Sequence, residues 1–236
     1  MNLIITGLFG LTILIGVILV LIFKNNKKIT ELSISIGFSV LIYLIVLELI
    51  PESLEYLSLF KVILYSLIGI FVLKILDLFI PEHEHSNSKN HSLHIVIVSS
   101  IALILHNIIE GMALYTALST DFHIGLMIGL GVGLHNIPMG MVISSSLEES
   151  KYSKTKILIV GLLVSLSTLL GGFIMSLTKS TTNIIGIMNS LTLGMIIYIS
   201  LFELLEHMLK QNKKSNIIGF IIGTLLFIIS LMFHSH

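Results

Sequence analysis

The chain has 236 residues, 55% of them hydrophobic and 11% charged, with a mean hydropathy of +1.04. Soluble domains carry about 25% charged residues, so this composition excludes one and describes a polytopic membrane protein. Formal net charge is zero, with no arginine and no basic block, which removes nucleic acid as a partner; with no cysteine, His, Glu, Asp, Asn and Met remain as possible metal ligands.

Apolar runs long enough to cross a bilayer core of about 30 Å cover approximately residues 2–23, 29–50, 59–80, 93–118, 123–148, 156–178, 183–209 and 215–233. They predict an all-α fold of eight transmembrane helices, in one membrane domain over residues 1–236. The first run is too long for a signal-peptide core and lacks a basic start, so it is read as a retained span. Lysines alternate between the breaks. Lys24, Lys27, Lys28, Lys89, Lys151, Lys154, Lys156, Lys210, Lys213 and Lys214 fall in the odd loops, and only Lys61 and Lys179 in the even ones. Under the positive-inside rule the odd loops are cytoplasmic and both termini extracytoplasmic.

Span two ends in Tyr43-Leu44-Ile45-Val46-Leu47-Glu48-Leu49-Ile50-Pro51-Glu52. Span three contains Lys74 and Asp77, neighbours on one helix face that can neutralise each other. Loop three, residues 81–94, is polar and holds His83, His85, His91 and His94. That composition suits weak metal capture at a cytoplasmic loop; a solvated linker is the plain alternative.

Spans four and five carry two similar hexapeptides, His106-Asn107-Ile108-Ile109-Glu110-Gly111 and His135-Asn136-Ile137-Pro138-Met139-Gly140. Imidazole, carboxamide and carboxylate groups in hydrocarbon are costly unless paired, and a cluster of them marks a function. His106 lies about 12 residues into its span and His135 about 11 into a span running the other way, so at about 1.5 Å per residue both reach the midplane. His106 and Glu110, like His135 and Met139, are spaced i, i+4 and project from one side of their helix. His106, Asn107, Glu110, His135, Asn136 and Met139 are therefore expected around one point. Two imidazoles and a carboxylate suit Zn²⁺ or Fe²⁺; a metal-free interhelical cluster is the alternative. Pro138 cannot donate to the Leu134 carbonyl and should kink its helix, and Gly125, Gly129 and Gly133 form a small-residue stripe for close helix approach. Ser99 two turns before His106, and Ser144, Ser145 and Ser146 beyond Met139, suggest a polar path toward the cytoplasm.

Span seven ends in Tyr198-Ile199-Ser200-Leu201-Phe202-Glu203-Leu204-Leu205-Glu206, sharing Tyr-x-x-x-x-Glu-Leu with span two. The two spans run in opposite directions, the mark of an inverted repeat of spans one to three against six to eight around the central pair. Glu48 and Glu203 would then be rim carboxylates at the two mouths; alternatively each marks the interface end of its helix. His234 and His236 close the chain.

These residues resemble the ZIP family of divalent-metal transporters, whose fourth and fifth helices carry paired His-Asn-x-Pro-Glu-Gly motifs. The resemblance extends over eight spans, outward termini, a His-rich third loop and the Glu-Leu-Ile-Pro-Glu end of span two. It implies a homodimeric carrier in the cell membrane, without a cofactor, that moves Zn²⁺, or Fe²⁺ and Mn²⁺ in some relatives, into the cytoplasm. The chain departs from that pattern at Ile109, where the family usually has Pro, at Met139, where it usually has Glu, and at Thr168-Leu169, where bacterial relatives often have Glu-Pro. Fewer carboxylates remain than a bridged two-metal centre uses. Within the resemblance the fourth-helix copy should carry the charge and most of the affinity, and Met139 should set how softly the ion is held.

Two other functions fit the residues less well. An intramembrane zinc hydrolase needs a metal-bound water and a general base, yet no His-Glu-x-x-His motif is present. A metal-binding relative that does not transport is the other.

Overall fold

The computed structural model describes the backbone of residues 1–23, 26–79, 88–177 and 182–234, and side chains within 1–23, 26–75, 100–177 and 184–233. Among them are eight helical rods and no strand. We label them α1 (Asn2–Ile22, interrupted at Leu11), α2 (Lys27–Tyr56), α3 (Leu59–Phe79), α4 (Ser88–Thr120), α5 (Phe122–Glu149), α6 (Lys154–Leu177), α7 (182–209) and α8 (Lys213–His234). The packing is that of a protein in lipid. Exposed positions carry Leu59, Phe60, Ile63 and Phe71 on α3, Leu158, Leu163 and Phe173 on α6, and Ile217, Ile221 and Leu225 on α8, while Ser33, Asn107, Asn136, Ser145 and Thr168 are buried. Apolar surface of this extent is stable only against hydrocarbon. Buried hydroxyls and amides then tie helices together.

Three boundaries differ from expectation. Helix α2 does not stop near Ile50 but continues through Pro51 to Tyr56, the wide turn just before Pro51 accommodating the missing N–H. Helix α4 starts at Ser88, so the backbone of His91 and His94 is helical rather than loop; once a long helix exists, each added residue gains a hydrogen bond without repeating the cost of nucleation. Helix α5 runs without interruption through Pro138. His83 and His85, the side chains of His91, His94, Ser99, Asp77 and His234, and all of His236 lie outside the described residues.

Within α2 and α7 the regular spiral widens to a π turn, at Ile45–Leu49 and at Ile199–Leu204. The two turns hold Glu48 and Glu203, the glutamates of the shared Tyr-x-x-x-x-Glu-Leu pattern. Pro51 cannot donate to the Leu47 carbonyl, which favours the wide turn in α2. No proline is present in α7, so the turn belongs to both halves of the repeat rather than to that residue.

Backbone contacts repeat in the same way. Gly16 of α1 lies against the Ile137 carbonyl of α5, and Gly171 of α6 against the Ile108 carbonyl of α4. Gly140 of α5 lies against the Ile13 carbonyl of α1, and Gly111 of α4 against that of Thr168 in α6. Ile108 and Ile137 are the third residues of the hexapeptides; Gly111 and Gly140 are the sixth. Ile13 and Gly16 stand at the same sequence offset from Thr168 and Gly171 as Glu48 does from Glu203. Since α1 and α6 are five crossings apart, they run in opposite directions, and the repeat is inverted. The glycine stripe takes close neighbours at all three positions: the Leu118 backbone at Gly125, and Phe9 and Thr12 of α1 at Gly129 and Gly133.

The rods form two groups. In the first, α1 packs on α5 and α6 on α4, with α4 and α5 side by side; in the second, α2 packs on α8 and α3 on α7. Each group has its own polar ties: Asn107 Nδ2 to Val164 O at 3.2 Å and Ser144 Oγ to Val17 O at 3.3 Å in the first, Ser39 Oγ to Phe220 O and Ser66 Oγ to Ser190 O, both 3.0 Å, in the second. Both hexapeptides belong to the first group.

Candidate metal site

His106 and Glu110 lie one turn apart on α4 and His135 lies opposite on α5, so the antiparallel pair brings the three side chains to one level. Glu110 Oε1 meets His135 Nε2 at 2.5 Å and lies 3.6 Å from His106 Nε2. Asn136 Nδ2 donates to the other carboxylate oxygen, Oε2, at 3.2 Å. The two imidazole rings are 6.2 Å apart between centroids and tilted by 46°. All four residues are buried. One ligand atom from each of His106, Glu110 and His135 falls within 4.8 Å of the others. In a tetrahedral shell with bonds of ~2.0–2.1 Å the ligand atoms stand ~3.3 Å apart. The observed separations bracket that value, so small side-chain rotations suffice to admit a cation. Nε2 of His106 has no hydrogen-bond partner, and a buried imidazole nitrogen in that condition is costly unless something else uses its lone pair or proton.

The other expected residues are placed differently. Asn107 Nδ2 donates to Val164 O of α6 at 3.2 Å, while its buried Oδ1 accepts no hydrogen bond. Met139 is 1% exposed and packs in the apolar core with Ile13, Val142 and Ile143. Glu48 lines a cavity that ends on the cluster, whereas Glu203 is buried in the wide turn of α7. Ser146 is buried on α5 and its carbonyl accepts from Ser150 Oγ at 2.8 Å.

That cavity lies between the two helix groups. Its polar lining is Glu48 and Glu52 of α2, His106 and Glu110 of α4, and Asn189 and Thr192 of α7; Leu49, Ile109, Ala113, Leu114, Ile128 and Val132 complete it. Asn189 Nδ2 donates to Glu52 Oε2 at 3.3 Å. Sequence reasoning did not single out Asn189 or Thr192. Their signal was available, since Asn189 is a carboxamide inside an apolar run, but it is isolated there and matches no motif. At the opposite end of the rods His207 Nε2 of α7 lies 3.0 Å from Glu149 Oε2 of α5, a polar contact joining the two groups.

Comparisons with known proteins agree with this arrangement. The ZIP zinc transporter family matches residues 80–231, which include both hexapeptides. Two curated relatives are similar over nearly the whole chain. A zinc transporter ZupT of Chlorobaculum parvum is 29% identical over 94% of this chain and 92% of its own length, and one of Chlorobium chlorochromatii is 29% identical over 94% and 93%.

Proposed function

Because the chain belongs to the ZIP zinc transporter family, a family of divalent-metal transporters rather than enzymes, we propose that this integral membrane protein carries Zn²⁺ into the cytoplasm through the His106, Glu110 and His135 site. The observation that carries this reading is the convergence of those three ligand residues within 4.8 Å inside a buried helix pair. The family removes the hydrolase alternative. Asn136 holds the second oxygen of Glu110 and so orients the carboxylate, in the way outer hydrogen bonds orient metal ligands. Fe²⁺ and Mn²⁺ are the competing cargoes, since imidazole and carboxylate accept both.

Direction follows from the lysine-rich odd loops, which put the Glu48 mouth outside and the Glu149–His207 pair on the cytoplasmic side. The cargo enters past Glu48 and Glu52 and is held by the first helix group. That group then shifts against the second, the Glu149–His207 contact opens, and the cargo leaves along Ser145, Ser146 and Glu203. Residues 1–236 act as one transport domain, paired as a homodimer in the cell membrane, with the histidines of residues 81–94 collecting metal at the cytoplasmic face.

Purified protein in liposomes should take up labelled Zn²⁺, and His106→Ala or Glu110→Ala should abolish uptake. Undiminished flux in both variants would sink the assignment, and tight binding without flux in the unaltered protein would make it a non-transporting relative. Unlabelled Fe²⁺, Mn²⁺ and Cd²⁺ competing against Zn²⁺ uptake would rank the cargoes.

A further inference from the structure

The side of the cavity formed by α2 and α7 has a chemistry of its own. Glu48 and Glu52 of α2 and Asn189 of α7 line it together, and all its potential ligand atoms there are oxygen. Asn189 is only 3% exposed, and its amide is used on one side alone. Nδ2 donates to Glu52 Oε2, while the buried Oδ1 accepts no hydrogen bond. A buried carbonyl oxygen left without a donor is costly, and a cation is the partner that two neighbouring carboxylates favour. The hydrogen bond also fixes the amide with its oxygen available and its nitrogen occupied.

All three residues belong to the second helix group, whereas His106, Glu110 and His135 belong to the first. We propose that Glu48, Glu52 and Asn189 form a second divalent-cation site, all-oxygen in its protein ligands, at which the ion exchanges part of its hydration shell before transfer to the histidine site. This rests on the transport reading above and adds a station that does not move with the cargo. Oxygen ligands suit hard ions and discriminate little among them, so this site takes Mn²⁺ and Ca²⁺ as well as Zn²⁺. Selection is left to the imidazoles.

The test is Mn²⁺ binding to the purified full-length chain, followed by electron paramagnetic resonance. A His106→Ala/Glu110→Ala variant should still bind one Mn²⁺ per chain, without coupling to an imidazole nitrogen. Adding Glu52→Gln or Asn189→Leu should weaken that binding by about tenfold or more, while Asn189→Asp, which adds a charged ligand, should tighten it by about as much. Should the double variant fail to fold, Glu52→Gln alone must lower the number of Mn²⁺ bound by the otherwise unaltered chain from two to one. Loss of all Mn²⁺ binding in a folded double variant would overturn the second site, as would residual binding indifferent to Glu52 and Asn189. Full Zn²⁺ uptake by the double variant would instead remove the histidine site from transport and leave the Mn²⁺ titration to judge the oxygen site separately.

Discussion

Glu110 is the residue on which the central site turns. Its two oxygens are engaged by different partners, one by His135 and the other by Asn136, so a cation that takes the first oxygen finds the second already held. Glu110→Gln keeps the shape and removes the charge. A charge-assisted interaction is worth ~1.5–3 kcal/mol, so Zn²⁺ affinity should fall by about 10- to 150-fold, measured by equilibrium dialysis. Unchanged affinity would exclude the carboxylate from the site. Met139 makes the opposite case. It sits one turn beyond His135 as Glu110 does beyond His106, but it is buried in the apolar core. Met139→Leu conserves volume, costs less than about 1.5 kcal/mol, and should leave the preference between Zn²⁺ and Cd²⁺ unaltered. A changed preference would make the thioether a ligand. Spacing alone could not separate these two residues, because the i, i+4 rule says which side of a helix a group occupies and not what stands opposite.

At the scale of elements, much of the fold was legible. Eight apolar runs, the shared level of the two hexapeptides and the repeat linking Glu48 to Glu203 all follow from periodicity, length and charge. The wide turns in α2 and α7 were not legible, since a π turn has no compositional signature and is decided by what packs around it. Close approach was legible only in part for a related reason. Any of the glycines could have admitted a neighbour, but Gly16 and Gly171 are the pair that meet the hexapeptide carbonyls. A Cβ at either would overlap a carbonyl oxygen and push α1 from α5 or α6 from α4. Gly16→Ala and Gly171→Ala should each lower stability by ~1–3 kcal/mol, seen as a reduced melting temperature in detergent; no change in either would mean the helices are not in backbone contact. The Glu149–His207 pair belongs to this scale too. It is partly exposed, so its loss should cost no more than about 1 kcal/mol, but it spans the two groups. His207→Ala should therefore raise the labelling rate of a cysteine placed at Ser145 by up to about fivefold, through more frequent opening of that end; an unchanged rate would reduce the pair to a surface contact.

For the whole molecule the question is what moves. The hydrogen bonds within each group tie backbone carbonyls to side chains along much of its length; between the groups α5 packs on α2 and α8, with the Glu149–His207 contact and Ser230 Oγ to Gly131 O at 2.8 Å. The inverted repeat gives this division a consequence. Two halves of related structure in opposite orientation can exchange conformations, so that an arrangement open at one mouth has a counterpart open at the other. In this structure the Glu48 end holds the cavity and the Glu203 end holds the Glu149–His207 contact. The chain has no cysteine, so introduced pairs can be cross-linked without interference. Gly131→Cys with Ser230→Cys joins the groups, and oxidation should stop Zn²⁺ uptake while leaving Zn²⁺ binding intact, with uptake returning on reduction. Ser66→Cys with Ser190→Cys lies within the second group, and its oxidation should leave uptake unaffected. If the first cross-link forms and transport continues, relative movement of the two groups is not the step that carries the ion.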